Sequence, residues 1–403
     1  METLRIAATA LRAHKMRSFL TLLGVIIGVM TVVTVVSIIS GLNNFVTEKM
    51  VRLNPDVYAV TKFGIITSRE AWLEAIKRKD IDWNDYKAIR DNCGLCEMTG
   101  ARLDTDANVK RNAQRLTNVD INGVTSNMGE LQNLDIEDGR FFTPTEEQRS
   151  ALVVVIGSDI RDELFGPLDP IGRQVWVADQ PMRVIGLLRK QGSMLGNNQD
   201  KVAYMPITAW RKRFGARESM SIFVRAHGGV SGMEASMDDV RVILRSRRRT
   251  AFRQDDPFST VTAEAIQMLW KSISTGLFSM MILISGISLL VGGIVIMNIM
   301  LVSVVERTRE IGVRRAMGAT RSHIRKQFLM EAILLSLGGG ILGVVVGMAI
   351  AKTISSVTPM PTLVRPSLIV AGLLISVVTG LLAGVIPAVR ASKLPPVEAL
   401  RFE

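Results

Sequence analysis

Two cysteines and three histidines among 403 residues are too few for a disulfide-built fold and poor material for a metal centre. Cys93 and Cys96 form a single C-x-x-C, which leaves a disulfide, a redox pair or two free thiols open. No thioredoxin-like βαβ frame surrounds the pair, which weighs against redox activity. A zinc site would need two further ligands, and His14, His227 and His323 are scattered. The chain has no G-x-S-x-G, no H-E-x-x-H and no G-x-x-x-x-G-K-[ST], so it cannot hydrolyse ATP by a Walker mechanism on its own. Charge is also scarce: 21% of residues are charged against 48% apolar, with a mean hydropathy of +0.27, which an ordinary soluble enzyme does not reach.

The apolar residues are bunched. Phe19 to Ser40 carries no charge and is long enough to cross a hydrocarbon core of about 30 Å as a helix. It exceeds the h-region of a cleaved signal peptide, and no A-x-A-like site follows it. More than 200 residues later three further runs follow, near Leu277 to Val304, Phe328 to Ile350 and Leu368 to Ala388. The expected fold is a multi-pass α-helical membrane protein, one span plus three, with a large α+β domain inserted between the first two spans. The expected boundaries are an amphipathic N-terminal segment 1–18, spans 19–40, 272–304, 328–350 and 368–388, and an outer insert 41–271. A loop 305–327, a short outer loop 351–367 and a tail 389–403 complete the chain.

The net charge of +12 would suggest nucleic acid if it were concentrated in a folded domain. It is not, because the insert holds 33 basic and 31 acidic residues. The excess sits beside the spans: Arg5, Arg12, Lys15 and Arg17 before the first, seven basic residues from Arg307 to Lys326 after the second, and Arg390, Lys393 and Arg401 after the fourth. By the positive-inside rule both termini and the 305–327 loop are cytoplasmic, the lipid bilayer is the partner, and nucleic acid drops out. Glu331 stands about one turn inside the third span, close enough to its end to reach headgroups and water.

Four-residue glycine spacings at Gly24 and Gly28, at Gly339, Gly343 and Gly347, and at Gly380 and Gly384 allow close helix packing in a bundle, within the chain or between subunits. In the insert, β-rich runs are expected at Asp56 to Val60, Leu152 to Ile156, Arg173 to Val177, Arg183 to Leu188 and Ser221 to Arg225. Helices are expected at Arg69 to Lys79, Asn84 to Asp91 and Ser236 to Arg245. The stretch 118–204 is the richest in strand and turn signals and reads as an inserted β-rich subdomain. Arg245, Arg247, Arg248 and Arg249 read as a solvated helix end.

The densest information lies from Glu306 to Arg321, ERTREIGVRRAMGATR. Ile311, Val313, Met317, Ile324 and Phe328 make an interrupted apolar stripe among charges, expected as helical segments at the membrane face broken at Gly312 and Gly318. This loop resembles the E-R-x-x-E-I-G-x-R-R-A-x-G-A signature of the MacB and FtsX superfamily of ABC transporter permeases. The ending ASKLPPVEALR at Ala391 to Arg401 and the start KMRSFLTLLGVIIG at Lys15 to Gly28 are similar to that family too, as are Glu137 to Phe142, Val155 to Gly157 and Leu164 to Gly172 in the insert.

The resemblance implies a permease of the bacterial inner membrane that works as a homodimer or pseudo-symmetric pair, is no enzyme itself and binds no cofactor. ATP and magnesium would be held by a separate ABC ATPase subunit, because this chain begins directly before the first span whereas MacB carries a fused ATPase. Glu306, Arg307, Glu310, Gly312, Arg314, Arg315 and Gly318 match the motif and take the ATPase-coupling role. The implied activity is MacB-type export of macrolide-, peptide- or lipid-like amphipathic molecules by mechanotransmission, with a periplasmic adaptor and an outer-membrane channel as further partners. Lipoprotein release and control of envelope hydrolases are the alternatives within the superfamily, and a membrane-anchored ligand sensor is the alternative outside it. Deleting Glu306 to Gly318, or combining Glu310→Lys with Arg314→Glu, is expected to abolish ATPase association.

Overall fold

The computed structural model describes residues 15–45, 54–194, 197–215, 218–358 and 362–400. Most of the expected N-terminal amphipathic segment and the last three residues lie outside them. In chain order the elements are α1 (Lys15–Phe45), β1 (Val57–Thr61), α2 (Arg69–Lys77), α3 (Trp83–Asn92), β2 (Cys96–Arg111), β3 (Gln114–Val124), α4 (Met128–Leu131) and β4 (Ile136–Gly139). There follow α5 (Pro144–Gln148), β5 (Val153–Ile156), α6 (Ser158–Leu164), β6 (Gln174–Val177), β7 (Gln180–Leu188), β8 (Ser193–Met194), β9 (Asn197–Asn198) and β10 (Val202–Pro206). Then come α7 (Ile207–Phe214), β11 (Ser221–Ala226), α8 (Met233–Arg248), β12 (Ser259–Thr262), α9 (Ala263–Glu306), α10 (Thr308–Ala316), α11 (Arg321–Val357), α12 (Pro366–Lys393) and α13 (Pro396–Leu400). They form two compact units, one of Met1–Phe45 with Lys271–Glu403 and one of Val46–Trp270.

The Val46–Trp270 unit is built on one ten-stranded sheet in the order β12-β1-β11-β2-β3-β10-β5-β7-β4. Side chains alternate along its strands. Tyr58 and Val60 of β1, with Val154 and Ile156 of β5, enter one core, while Val57 and Ala59, with Val153 and Val155, enter a second. β6 pairs with β7 and also with the far end of β2, so β2, β3, β10, β5, β7 and β6 close a circuit. The β-rich part therefore does not begin at residue 118, which falls inside β3. It includes β2, whose 16 residues serve the open sheet at one end and the closed circuit at the other, with a register shift between Ala107 and Val109 where it bends. The β2–β3 hairpin carries no clean alternation and is not among the expected strands.

Cys93 caps α3 and is disulfide-bonded to Cys96 at the start of β2. In the arginine cluster only Arg249, which ends α8, is an exposed helix end; Arg245, Arg247 and Arg248 are engaged. Arg248 and Arg247 reach Asp85 at 2.6 and 2.8 Å, with the Arg248 and Asp85 side chains only 5% and 3% exposed. Arg245 donates to the carbonyls of Ala251, Phe252 and Gln254 and to Asp256. Burial pushes the Asp85 carboxyl up, but hydrogen bonds from Arg248, the Asp82 backbone N–H and Arg247 outweigh it and hold the group below the ordinary carboxylate range. At α5, the Arg140 guanidinium opposes the effect of burial and, with the Thr143 N–H and hydroxyl, holds Glu146 at about 2.

Among the described residues, the other unit contains four helices long and apolar enough to cross a membrane: Leu22–Asn43 within α1, and α9, α11 and α12. Each extends beyond the apolar run at one or both ends, because polar residues at helix ends can stay helical in water or headgroups. Large apolar side chains such as Leu283, Ile287, Leu290 and Leu382 are more than 60% exposed on these helices, the pattern of a surface solvated by lipid. The chain is a membrane protein.

All seven glycines of the four-residue spacings face another helix of the same chain. A Cβ on Gly24 would lie 2.6 Å from Gly292 Cα in α9, and one on Gly28 would strike Leu289. Gly339, Gly343 and Gly347 lie against α1, where a Cβ would meet Val25, the Ile26 carbonyl and the Met30 carbonyl respectively. Gly380 and Gly384 lie against Ser336 and Ala332 of α11. Thr34 also donates to the Gly347 carbonyl at 3.2 Å, a bond that the close α1–α11 approach permits. Gly292 and Gly340 share this role but lack a four-residue partner, so spacing alone could not find them.

Candidate functional site

One end of the helix bundle gathers the junction of α9 with α10, the start of α11 and the end of α12. The α9 helix stops at Glu306 and Arg307 leaves helical geometry with φ −104° and ψ 19°. Thr308 opens α10 and its hydroxyl donates back to the carbonyls of Val304 and Val305, which holds the junction to the end of α9. At the other end of α10, Gly318 takes φ +99°, a conformation open to glycine, and the Met317, Gly318 and Ala319 N–H groups bond to the Val313, Arg315 and Arg314 carbonyls. Thr320 then caps α11 by accepting from the His323 N–H.

Gly312 is not a break. It lies buried inside α10, which runs through it unbroken. The expected apolar stripe also divides. Ile311, Ile324 and Phe328 are buried with Val304, Ala388 and Ala391 in the core of the bundle end, whereas Val313 and Met317 point outward. The helix is held by polar contacts as well, and the motif arginines make them. Arg307 pairs with Glu331 of α11 at 3.2 Å. Arg314 donates to Gln327 of α11 at 2.7 Å and to Glu310 one turn earlier on α10. Arg315 donates to the carbonyls of Ser392 and Leu394, both at 3.0 Å, and so satisfies backbone acceptors that the end of α12 leaves open.

The matching residues are thus brought together, but as fastenings. Glu310 and Arg314 pair with each other, so exchanging their charges lets the pair re-form and is a milder perturbation than their spacing in a loop suggests. Glu331 does not simply face headgroups; it is the partner of Arg307. The C-terminal motif packs here too: α13 lies against α10, with Ala399 1% exposed. A groove lined by Leu301, Val305, Glu306, Thr308, Arg390 and Leu394 runs beside this contact. Fastened to two membrane helices by these side-chain bonds, α10 cannot shift without moving them or breaking the bonds.

Comparison with known proteins agrees along the whole chain. Residues 18–241 match the MacB-like periplasmic core domain, and residues 282–396 match the FtsX-like permease C-terminal domain. The uncharacterized ABC transporter permease YknZ of Bacillus subtilis (strain 168) is 31% identical over 407 residues, covering 100% of this chain and 99% of that protein. The macrolide export ATP-binding/permease protein MacB of Bdellovibrio bacteriovorus is 33% identical over 402 residues, and the chain spans only 60% of its length. Among solved structures, the periplasmic region of MacB from Actinobacillus actinomycetemcomitans is similar at 15% identity and a TM-score of 0.46, over 56% of this chain and 97% of that one. With a MacB-like domain set between the first and second of four membrane helices and an FtsX-like region after it, the chain belongs to the MacB/FtsX superfamily of ABC transporter permeases.

Proposed function

We propose that the chain is the permease subunit of a MacB-type exporter, driven by a separate ABC ATPase that docks at α10. The bundle end around α10 and both termini then face the cytoplasm of a bacterial inner membrane, and Val46–Trp270 faces outward. ATP and magnesium stay on the ATPase, and two copies of this chain make the working assembly. The observation that carries the reading is the fastening of α10. Arg307, Arg314 and Arg315 tie it to α11 and α12, so a displacement imposed on α10 is delivered to the membrane helices. Relatives named for macrolide and syringafactin export support amphipathic molecules as cargo.

Affinity purification of the tagged chain from its membrane tests this directly. A stoichiometric Walker-motif ATPase, lost when Glu306 to Gly318 is deleted, is the expected result. Capture of no ATPase in mild detergent, with the intact chain present, would sink the reading.

A further inference from the structure

Two grooves lie in line between α9 and α12. The first is lined by Leu290, Gly293 and Ile294 of α9 and by Thr379, Leu382 and Ala383 of α12, and its volume of about 370 Å³ falls in the range of small-molecule sites. It offers no free polar group, because the Thr379 hydroxyl is spent on the Ile375 carbonyl. Gly293 keeps it open: a Cβ there would stand 3.6 Å from Thr379 and 3.9 Å from Ala383.

The second is the groove beside α13, and the same two helices line it. Ile294, Leu301 and Val305 are spaced seven and four residues apart on α9, and Ala383 and Arg390 seven apart on α12, so each helix turns one face to both grooves. Gly293 stands about 20 Å along α9 from Glu306, and Ala383 about 10 Å along α12 from Arg390, which brackets the ~15 Å of hydrocarbon in one leaflet. The first groove is at acyl-chain depth when the second is at headgroup depth.

Both signs of charge stand at the second groove. Arg390 lines it and Lys393 follows one turn later; both are exposed and neither makes an ion pair or side-chain hydrogen bond among the described residues. Glu306 lines it too and is exposed, and a carboxylate has acceptor sites enough to take an ammonium alongside its other contacts. A purely anionic headgroup would meet Glu306 as a like charge, whereas one carrying a phosphate and a primary ammonium meets each group with its opposite.

We propose that this furrow holds one phospholipid of the surrounding leaflet, with its phosphate on Arg390 and Lys393, its primary ammonium on Glu306 and an acyl chain laid over Gly293. Basic pockets between membrane helices at headgroup level bind lipid in this way, and here the carboxylate adds a choice of headgroup. The inference needs only that the bundle sits in a bilayer, so it stands apart from the identity of the motor.

The test uses the full chain in mild detergent with phosphatidylethanolamine, phosphatidylglycerol or phosphatidylcholine added, the bound lipid being counted by native mass spectrometry. Phosphatidylethanolamine is expected at one per chain and about tenfold tighter than the other two, which lack the ammonium or its N–H donors. Arg390→Gln with Lys393→Gln should weaken it about tenfold, and Glu306→Gln should erase its advantage over phosphatidylglycerol. Gly293→Leu should fill the chain groove and weaken all three lipids, whereas Gly293→Ala, whose methyl makes only ordinary contacts, should bind as the parent does. Arg390 and Lys393 are exposed, so an unchanged lipid-free thermal midpoint in their double variant separates loss of the site from unfolding. Equal retention of the three lipids by the parent, or undiminished retention by the double variant, would overturn the proposal. So would a disulfide between two copies of a Leu382→Cys chain in native membranes, since a second chain would then cover the furrow. Failure to capture any ATPase, with lipid binding intact, would remove the function proposed above and leave this site standing.

Discussion

Arg307 and Glu331 meet at 3.2 Å where α9 ends and α10 begins, with side chains only 23% and 12% exposed. Twenty-four residues apart in sequence, they join the junction to the first turns of the next membrane helix.

Breaking that pair should loosen the junction. Glu331→Gln leaves a half-buried guanidinium without its counter-charge, and a loss of about 2 kcal/mol is expected from the missing charged hydrogen bond. Thermal unfolding in detergent measures it. The exchange Arg307→Glu with Glu331→Arg should recover part of the loss, and equal midpoints for parent and Glu331→Gln would show that the pair contributes nothing.

Glycine substitutions should split by what faces them. In Gly24→Ala the new methyl would sit 2.6 Å from Gly292 Cα, so the α1–α9 crossing must open and the bundle is destabilised. A Cβ on Gly338 of α11 would meet nothing within 4 Å, so Gly338→Ala should stabilise by roughly 0.5–1 kcal/mol through helix propensity. The same sign of change in both variants would contradict this packing.

Acid should weaken the contact between Arg140 and Glu146 in a defined window. The folded carboxyl is held at about 2 against an ordinary value of 4.5, so its contribution to stability is fully present above 4.5 and is lost as pH falls toward 2. In Arg140→Gln the pKa should return toward the ordinary value. Stability should then fall less steeply across that window, which midpoints recorded at successive pH values will reveal.

Labelling with a membrane-impermeant maleimide reads the topology. Phe252 is 97% exposed in the Val46–Trp270 unit, and Met317 is 77% exposed at the bundle end. Phe252→Cys should label in intact spheroplasts and Met317→Cys only after permeabilisation. Cys93 and Cys96 are disulfide-bonded, so they give no background without reductant. The reverse pattern would invert the orientation.

The membrane class, the order of spans and the presence of a mixed domain were legible in the sequence, because hydropathy over a span's length and basic flanks are local properties that lipid reads directly. The short buried strands at Val153–Ile156 and Ser221–Ala226 were legible for the same reason: their β-branched runs announce themselves. The segment from Glu306 to Gly318 stood out by its dense charges and by its resemblance to the permease signature, and the glycines of the membrane helices by their four-residue spacing.

Partnership was decided only in three dimensions. Nothing local says that Arg248 is buried against Asp85, 163 residues away, or that Arg315 serves carbonyls at positions 392 and 394. An arginine in a charged stretch looks the same whether it faces water or a backbone acceptor, since its sequence neighbours are not its contacts. The closed circuit of strands escaped for a related reason: β6 joins β2 across more than sixty residues, and a strand carries no mark of a distant partner. The sequence determined which segments would be oily, helical or charged, while the tertiary structure decided which face of α10 is fastened and which is left exposed, because that depends on what packs beside it.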